Sequence, residues 1–136
     1  MTCFPLKIVT PDGLRFDGMA HKLIVRTAGG DVAIMARHID YVAPLGMGQA
    51  VVETEDRRRY GACIGGLVSV MHGEATLVAT TFEWADQIDV ERAERAENNA
   101  RQALSRRDLS DVELRLAQAR LKRALLRRSV ATHKKN

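Results

Sequence analysis

The sequence predicts an α+β fold, in which an N-terminal antiparallel β-sandwich of about ten strands is followed by a C-terminal antiparallel hairpin of two helices. Residues 1–85 contain short apolar runs separated by Gly, Pro and Asp, a pattern typical of strands joined by turns. Residues 86–136 contain no Gly, Pro or aromatic residue and are rich in Ala, Leu, Arg and Glu, which favours helix. We therefore divide the chain into a sandwich domain, 1–85, and a helical domain, 86–136.

The predicted strands are short and follow one another without a helix between them. They cover 6–9, 14–16, 21–27, 32–35, 49–53, 58–64, 67–71 and 75–80. This order favours an antiparallel sandwich or flattened barrel over a parallel sheet. Gly65 and Gly66 interrupt a strand-like run, and they predict a bulge or a sharp strand bend because no phosphate-loop pattern follows them.

The longest predicted irregular connection is 36–46. Its residues Ile39, Tyr41, Val42 and Leu45 are more apolar than a solvated loop requires. We therefore expect this segment either to cover one end of the sandwich or to form a contact surface.

The predicted helices span about 87–105 and 111–130. Asp86 is predicted to cap the first helix, with Asp89 and Glu91 in its first turn, where carboxylates complement the helix dipole. The second helix restarts at a capping-box pattern that begins at Ser110 and ends at Glu113.

Each predicted helix carries a narrow apolar stripe with helical spacing. The stripes consist of Ala93, Ala96, Ala100, Ala103 and Leu104 on the first helix and of Leu114, Ala117, Leu121, Ala124 and Leu125 on the second. Small side chains let two helices approach closely but bury little apolar area. The hairpin is therefore predicted to be marginally stable and able to move.

Charge is distributed unevenly along the chain. Residues 1–85 hold 8 Lys and Arg against 9 Asp and Glu, whereas residues 86–136 hold 13 against 8. The second helix is therefore expected either to bind an acidic partner or to present a basic face to solvent. No run of residues is long and apolar enough to span a membrane, and two cysteines do not make a disulfide framework, so a reduced cytosolic compartment is the expected one.

The sequence offers no metal-ligand spacing among its four histidines and no catalytic constellation. The basic second helix leaves open a nucleic-acid-binding adaptor with a basic helical arm. An acidic protein surface is favoured instead, because every aromatic residue lies at or before Trp84 and none can stack bases from the hairpin.

At Ile88, Asp89, Arg92 and Ala93 the sequence resembles the epsilon subunit of F-type ATP synthases, whose second domain opens with Ile/Leu-Asp-x-x-Arg-Ala. The likeness covers nearly the whole chain. It includes 8–13 with 16–18, the loop at His38, 65–70 followed by 75–79, and 121–124 with Arg127, Val130 and Ala131. The order and spacing of these motifs together identify the chain as a member of that family.

The resemblance implies a non-catalytic, regulatory subunit of the rotating central stalk, peripheral to the cytoplasmic face of the cell membrane. The sandwich would dock on the gamma subunit and the proteolipid ring. The contact with the ring and gamma is expected at His38, Ile39, Tyr41, Val42 and Leu45. The complex would couple ion translocation to ATP synthesis.

The resemblance also implies that the hairpin inhibits ATP hydrolysis. Basic residues of the hairpin would engage the catalytic beta subunits. These residues are Arg115, Arg120, Lys122, Arg123, Arg127 and Arg128. No cofactor or metal is expected, but the folded hairpin is predicted to bind regulatory ATP. The nucleotide residues would be Ile88, Asp89, Arg92, Ala93, Arg123 and Arg127.

Overall fold

The computed structural model describes residues 2–134 and contains eight strands and two helices. The strands are β1 Phe4–Thr10, β2 Gly13–Ala20, β3 Lys22–Thr27, β4 Gly30–Ile34, β5 Tyr41–Pro44, β6 Met47–Glu53, β7 Arg58–Met71 and β8 Glu74–Trp84. A short 3-10 turn, Ala85–Gln87, leads to α1 Val90–Leu104 and α2 Asp111–Ala131. The predicted α+β class is confirmed.

Long strands that bend explain why eight strands replace the predicted ten or so. The first half of β7 pairs with β6 (Met47 opposite Ile64), and its second half pairs with β5 (Pro44 opposite Leu67). The partner β8 pairs with β7 from Gly61 to Met71, on both sides of the bend. Because β7 and β8 each contribute to both layers, eight strands supply ten strand segments.

The bend in β7 lies at Gly65 and Gly66, as predicted. Both have positive φ, +70° and +115°, and a Cβ on Gly66 would collide with the carbonyl oxygen of Val78. The register between β7 and β8 continues unchanged past this point. The two glycines therefore make a bend without a bulge.

Two details of the sandwich differ from the sequence predictions. The pairing of β1 with β8 is parallel, with Leu6 opposite Ala75, so the sheet is not wholly antiparallel. The segment 36–46 is not irregular throughout, because β5 (Tyr41–Pro44) lies within it. The pairing of β5 with β7 satisfies backbone groups that a loop would leave to water.

The main hydrophobic core lies between the layers of the sandwich. Leu6, Ile8, Leu23, Val25 and Leu77 are fully buried there, together with Phe82 and Trp84 at the end of β8. Cys63 belongs to the same core, and burial raises the pKa of its thiol to about 12. It therefore remains a protonated, apolar side chain.

The helical hairpin packs on the sandwich through a second, smaller cluster. This cluster consists of Ala62, Ala85, Ile88, Val130 and Ala131, with Tyr60, Val90 and Leu126 packed around it. The rings of Tyr60 and His133 stack with their centroids 3.7 Å apart. Lys134 Nζ donates to the carbonyl oxygen of Ile88 at 2.7 Å. These contacts hold the end of α2 against the sandwich.

The start of α1 corrects the predicted cap. Asp89, not Asp86, occupies the N-cap position, and its carboxylate accepts a hydrogen bond from the backbone N–H of Arg92 at 3.1 Å. Asp86 lies in the preceding 3-10 turn. The capping box of α2, from Ser110 to Glu113, is confirmed.

Candidate functional site

A cleft of about 840 Å³ opens between the hairpin and the sandwich. Its residues come from three places: the sandwich contributes Thr10, Asp12, Arg15, Thr80, Thr81, Phe82 and Glu83; α1 and the residues before it contribute Gln87, Asp89, Arg92, Ala93, Ala96, Asn99, Ala100 and Ala103; α2 contributes Ala117, Arg120, Arg123, Ala124 and Arg127. The cleft therefore exists only while the hairpin is folded against the sandwich.

The cleft is rich in arginine. Five arginines line it against three carboxylates, those of Asp12, Glu83 and Asp89. Arg127 donates to Glu83 at 2.6 Å, which joins α2 to β8. Within residues 2–134, no carboxylate pairs with Arg92, Arg120 or Arg123. Three guanidinium groups are thus available to an anion, and phosphate suits their fork geometry.

The predicted nucleotide residues are largely brought together in this cleft. Asp89, Arg92, Ala93, Arg123 and Arg127 all line it, although they lie up to 38 residues apart in the sequence. The helical spacing on α2 places Arg123 and Arg127 one turn apart, and hairpin closure brings them opposite α1.

Ile88 does not join the other predicted nucleotide residues. It is 2% exposed and belongs to the cluster that holds Val130 and Ala131 against the sandwich. The Ile88 side chain therefore does not line the cleft, because an apolar side chain just before the helix is drawn into the docking interface. The accessible apolar lining of the cleft comes instead from Ala96, which is exposed, and from Ala103, which is half-buried.

The facing sides of the helices carry a charge cluster that the sequence analysis missed. Glu97 is only 8% exposed, and it accepts hydrogen bonds from Arg128 on α2 and from Arg101 on its own helix at 3.0 Å. The hydrogen bonds from Arg128 and then from Arg101 lower the pKa of Glu97. The sequence did contain a signal for this cluster, namely a glutamate within the alanine stripe followed by an arginine four residues later.

The apolar stripes of the hairpin are also thinner than predicted. Ala93, Ala100, Ala117 and Ala124 are buried, whereas Leu114 and Leu125 are 38% and 40% exposed. Ala96 is exposed on the side of the cleft. The packing of α1 against α2 therefore rests mainly on alanines.

The predicted basic surface on α2 is divided when the hairpin is folded. Arg120, Arg123 and Arg127 face the cleft, and Arg128 binds Glu97 and approaches Glu94 at 4.0 Å. Arg115 and Lys122 are exposed outside the cleft. The six cations can act as one surface only if α2 leaves this position.

The predicted contact loop has two exposed apolar residues, Ile39 at 77% and Val42 at 57%. Tyr41 is half-buried against the core and packs edge-on against His38, with ring centroids 5.7 Å apart. Leu45 is 9% exposed and belongs to the core. Leu45 therefore supports the loop from inside and does not lie on its exposed surface.

The same surface continues as an apolar row across one layer of the sandwich. The pairing of five strands aligns Pro44, Leu67, Val78, Val9 and Leu14. Leu67, Val78 and Leu14 are 41%, 48% and 56% exposed. Sequence analysis assigned these residues to strands but not to one row, because the row depends on the register between strands. A row of this kind is typical of an interface.

Two further features bear on the function. Within residues 2–134, no three His, Cys, Asp or Glu side chains lie close enough together to hold a metal ion. Neither helix of the described chain combines the length and hydropathy of a membrane-crossing segment.

Two family models match the chain. The beta-sandwich domain of the ATP synthase delta/epsilon chain matches residues 3–85. The long alpha-helix domain of the same chain matches residues 86–132.

Relatives in several bacteria match over nearly the same length. The ATP synthase epsilon chain of Shouchella clausii is 35% identical over 134 residues, which cover 98% of each chain. The ATP synthase epsilon chain of Ruminococcus albus is 36% identical over 135 residues, covering 98% of this chain and all of the relative.

Solved structures share the fold at lower sequence identity. A chain of the Euglena gracilis mitochondrial ATP synthase aligns with a TM-score of 0.78 and 19% identity, covering 90% of this chain and 77% of its own length. A chain from the central stalk and c-ring structure of the Tetrahymena thermophila mitochondrial ATP synthase aligns with a TM-score of 0.60 and 13% identity. The alignment covers 93% of this chain and 95% of that chain. Because the two family models together span residues 3–132 and the bacterial relatives match from end to end, the chain belongs to the ATP synthase delta/epsilon chain family.

Proposed function

We infer that the chain serves as the epsilon subunit in the central stalk of an F-type ATP synthase, a rotor component that couples ion translocation to ATP synthesis. The observation that carries this inference is the match of both domain models, in order, over residues 3–132. No finding supports the alternative of a nucleic-acid-binding adaptor. We propose further that the subunit is non-catalytic and regulatory, and peripheral to the cytoplasmic face of the cell membrane.

The proposed docking surface combines the loop with the apolar row. Ile39 and Val42 expose apolar area at the loop, and Pro44 leads from β5 into the row that ends at Leu14. Burying such area against a partner is favourable at roughly 25 cal/mol per Å². We propose that the loop contacts the proteolipid ring and that the row contacts the gamma subunit.

We propose that the cleft binds ATP as a regulatory ligand without hydrolysing it. The unpaired guanidinium groups of Arg92 and Arg123 lie on opposite helices and suit phosphate oxygens. Ala96, which is exposed, and Ala103, which is half-buried, offer apolar surface for a base. A bound nucleotide would join α1 to α2 and so stabilise the folded hairpin.

We propose that α2 inhibits ATP hydrolysis when it leaves the sandwich. Release from the cleft and from Glu97 would free Arg120, Arg123, Arg127 and Arg128 for an acidic segment of the catalytic beta subunits. ATP in the cleft would oppose this release, because the cleft exists only in the folded form.

One reconstitution tests the assembly and the regulation together. ATP synthase lacking its own epsilon chain would be combined with the full chain or with a chain truncated after Asp86. We expect both to co-purify with gamma, and we expect faster ATP hydrolysis at low nucleotide concentration with the truncated chain. Failure of the full chain to co-purify would contradict the stalk assignment, whereas equal hydrolysis rates would contradict only the inhibitory role.

Calorimetry on the isolated chain tests the nucleotide site. Arg92→Ala and Arg123→Ala should each weaken ATP binding by about tenfold, the loss of one charge-assisted hydrogen bond to phosphate. Arg115→Ala is the matched control, since Arg115 lies on α2 outside the cleft. Unchanged ATP affinity in both cleft variants would exclude the cleft as the binding site.

A further inference from the structure

The sandwich wall of the cleft contains a polar group whose partner is missing. Arg15 on β2 lines the cleft opposite the helices, and its Nε is buried without a hydrogen-bond partner among the described residues. Buried guanidinium nitrogens are nearly always hydrogen-bonded, because a buried donor without an acceptor loses its hydrogen bonds to water and gains none in the protein. Arg15 is therefore an arginine of the cleft whose hydrogen-bonding capacity the described residues do not fill.

The nearby carboxylate does not fill this role. Nη2 of Arg15 lies 4.0 Å from Asp12 Oδ2, at the limit of an ion pair, and the Asp12 side chain is 86% exposed. Such a contact is screened by water and contributes little. Asp12 also approaches Nη2 and not the buried Nε, so Nε stays unsatisfied within the described residues.

The backbone fixes Arg15 in this position. Its carbonyl oxygen accepts a hydrogen bond from Trp84 Nε1 at 3.1 Å, which ties β2 to the end of β8. The Trp84 side chain is buried in the main core and packs edge-on against Phe82. The backbone of Arg15 therefore belongs to a rigid wall of the cleft, and the Arg15 side chain is 30% exposed.

We propose that Arg15 is a phosphate ligand of the cleft, contributed by the sandwich and acting together with Arg92 and Arg123 of the hairpin. This inference rests on the proposed binding of ATP. A phosphate chain held by Arg15 and by the helices would bridge the two domains. The ligand would then stabilise the docking of the hairpin on the sandwich as well as the contact between the helices.

Calorimetry with ATP and with inorganic tripolyphosphate tests the proposal on the full chain. Arg15→Gln should weaken both ligands by about tenfold, because it removes a charge-assisted hydrogen bond. Arg15→Lys should lose less, since it keeps the charge but not the fork. The matched control is Arg26→Gln, which makes the same charge change at an arginine that pairs with Asp31 and does not line the cleft.

A second measurement uses the wild-type chain, so that a folding defect in the variant cannot affect it. ATP should protect Arg15, but not Arg26, from modification by phenylglyoxal, as read by mass spectrometry. Wild-type affinity in Arg15→Gln, or equal modification of Arg15 with and without ATP, would overturn the role of Arg15 while leaving the nucleotide site intact. If the wild-type chain does not bind ATP at all, both the nucleotide site and this inference would be overturned.

Discussion

The sandwich and the hairpin are held together by different kinds of side chain. The sandwich buries Leu, Ile, Val, Phe and Trp between its layers, many of them at 0% or 1% exposure. The hairpin buries four alanines between its helices, with one glutamate among them. Since burial stabilises roughly in proportion to apolar area, the sandwich is the rigid part and the hairpin the part that can be displaced.

The contacts between the sandwich and the hairpin are also few. The hairpin is attached by a small cluster around Ile88 and Val130, one aromatic stack and the ion pair of Arg127 with Glu83. Exchanging these contacts for others requires only a few kcal/mol of differential binding. A partner or a nucleotide could therefore set the position of the hairpin without disturbing the sandwich.

A core truncation in each region should show the largest difference. Leu77→Ala removes a fully buried side chain of β8 and should lower the free energy of unfolding by about 3 kcal/mol. Leu121→Ala, at a half-buried position of α2, should cost about 1 kcal/mol and act on the hairpin only. Urea denaturation followed by the fluorescence of Trp84 measures the sandwich, and equal shifts in both variants would contradict the comparison.

Exposed apolar positions in the two regions should differ in their effect on assembly. Ile39→Asp places a charge in the proposed ring contact and should weaken incorporation into the complex by about 2 kcal/mol. Val112→Asp makes the same change at a position of α2 that is 59% exposed, and incorporation should be unaffected. Both chains should remain folded by circular dichroism. Normal incorporation of the Ile39 variant would remove this loop from the interface.

The aromatic stack should contribute about 1 kcal/mol to docking of the hairpin. Tyr60→Ala should increase amide hydrogen exchange along the last turns of α2 and leave the exchange of β7 and β8 near its original rate. Tyr60→Phe keeps a ring of the same shape and should preserve most of the protection. If the two variants behave alike, the stack with His133 does not hold the hairpin.

The smallest expected effect is a pH dependence within the hairpin. The folded-state pKa of Glu97 lies below its ordinary value of 4.5, because Arg128 and Arg101 donate to the charged carboxylate. The contribution of Glu97 is therefore present above pH 4.5 and is lost as the pH falls below that value through the folded pKa. The protection factors of the α1 amides, which correct for the slower intrinsic exchange at low pH, should fall on acidification in the native chain, and Glu97→Gln should lack this component.

The local elements and their order could be predicted from the amino-acid sequence. Turn residues placed the strands, the absence of Gly and Pro after residue 85 placed the helices, and Gly65 with Gly66 placed the bend in β7. The capping box at Ser110 fixed the start of α2. These features depend on backbone preferences and on neighbours within about four residues, so that they can be read along the chain.

Which side chains contact one another depends on how the strands and helices pack. The parallel pairing of β1 with β8 brings Val9 and Val78 into one row, and the docking of the hairpin buries Ile88 while it gathers Arg15, Arg92 and Arg123 around one cleft. Leu45 lies in the core because the preceding strand, β5, pairs with β7. Such contacts join residues far apart in the sequence, and a periodic pattern specifies a face but not the partner that will cover it.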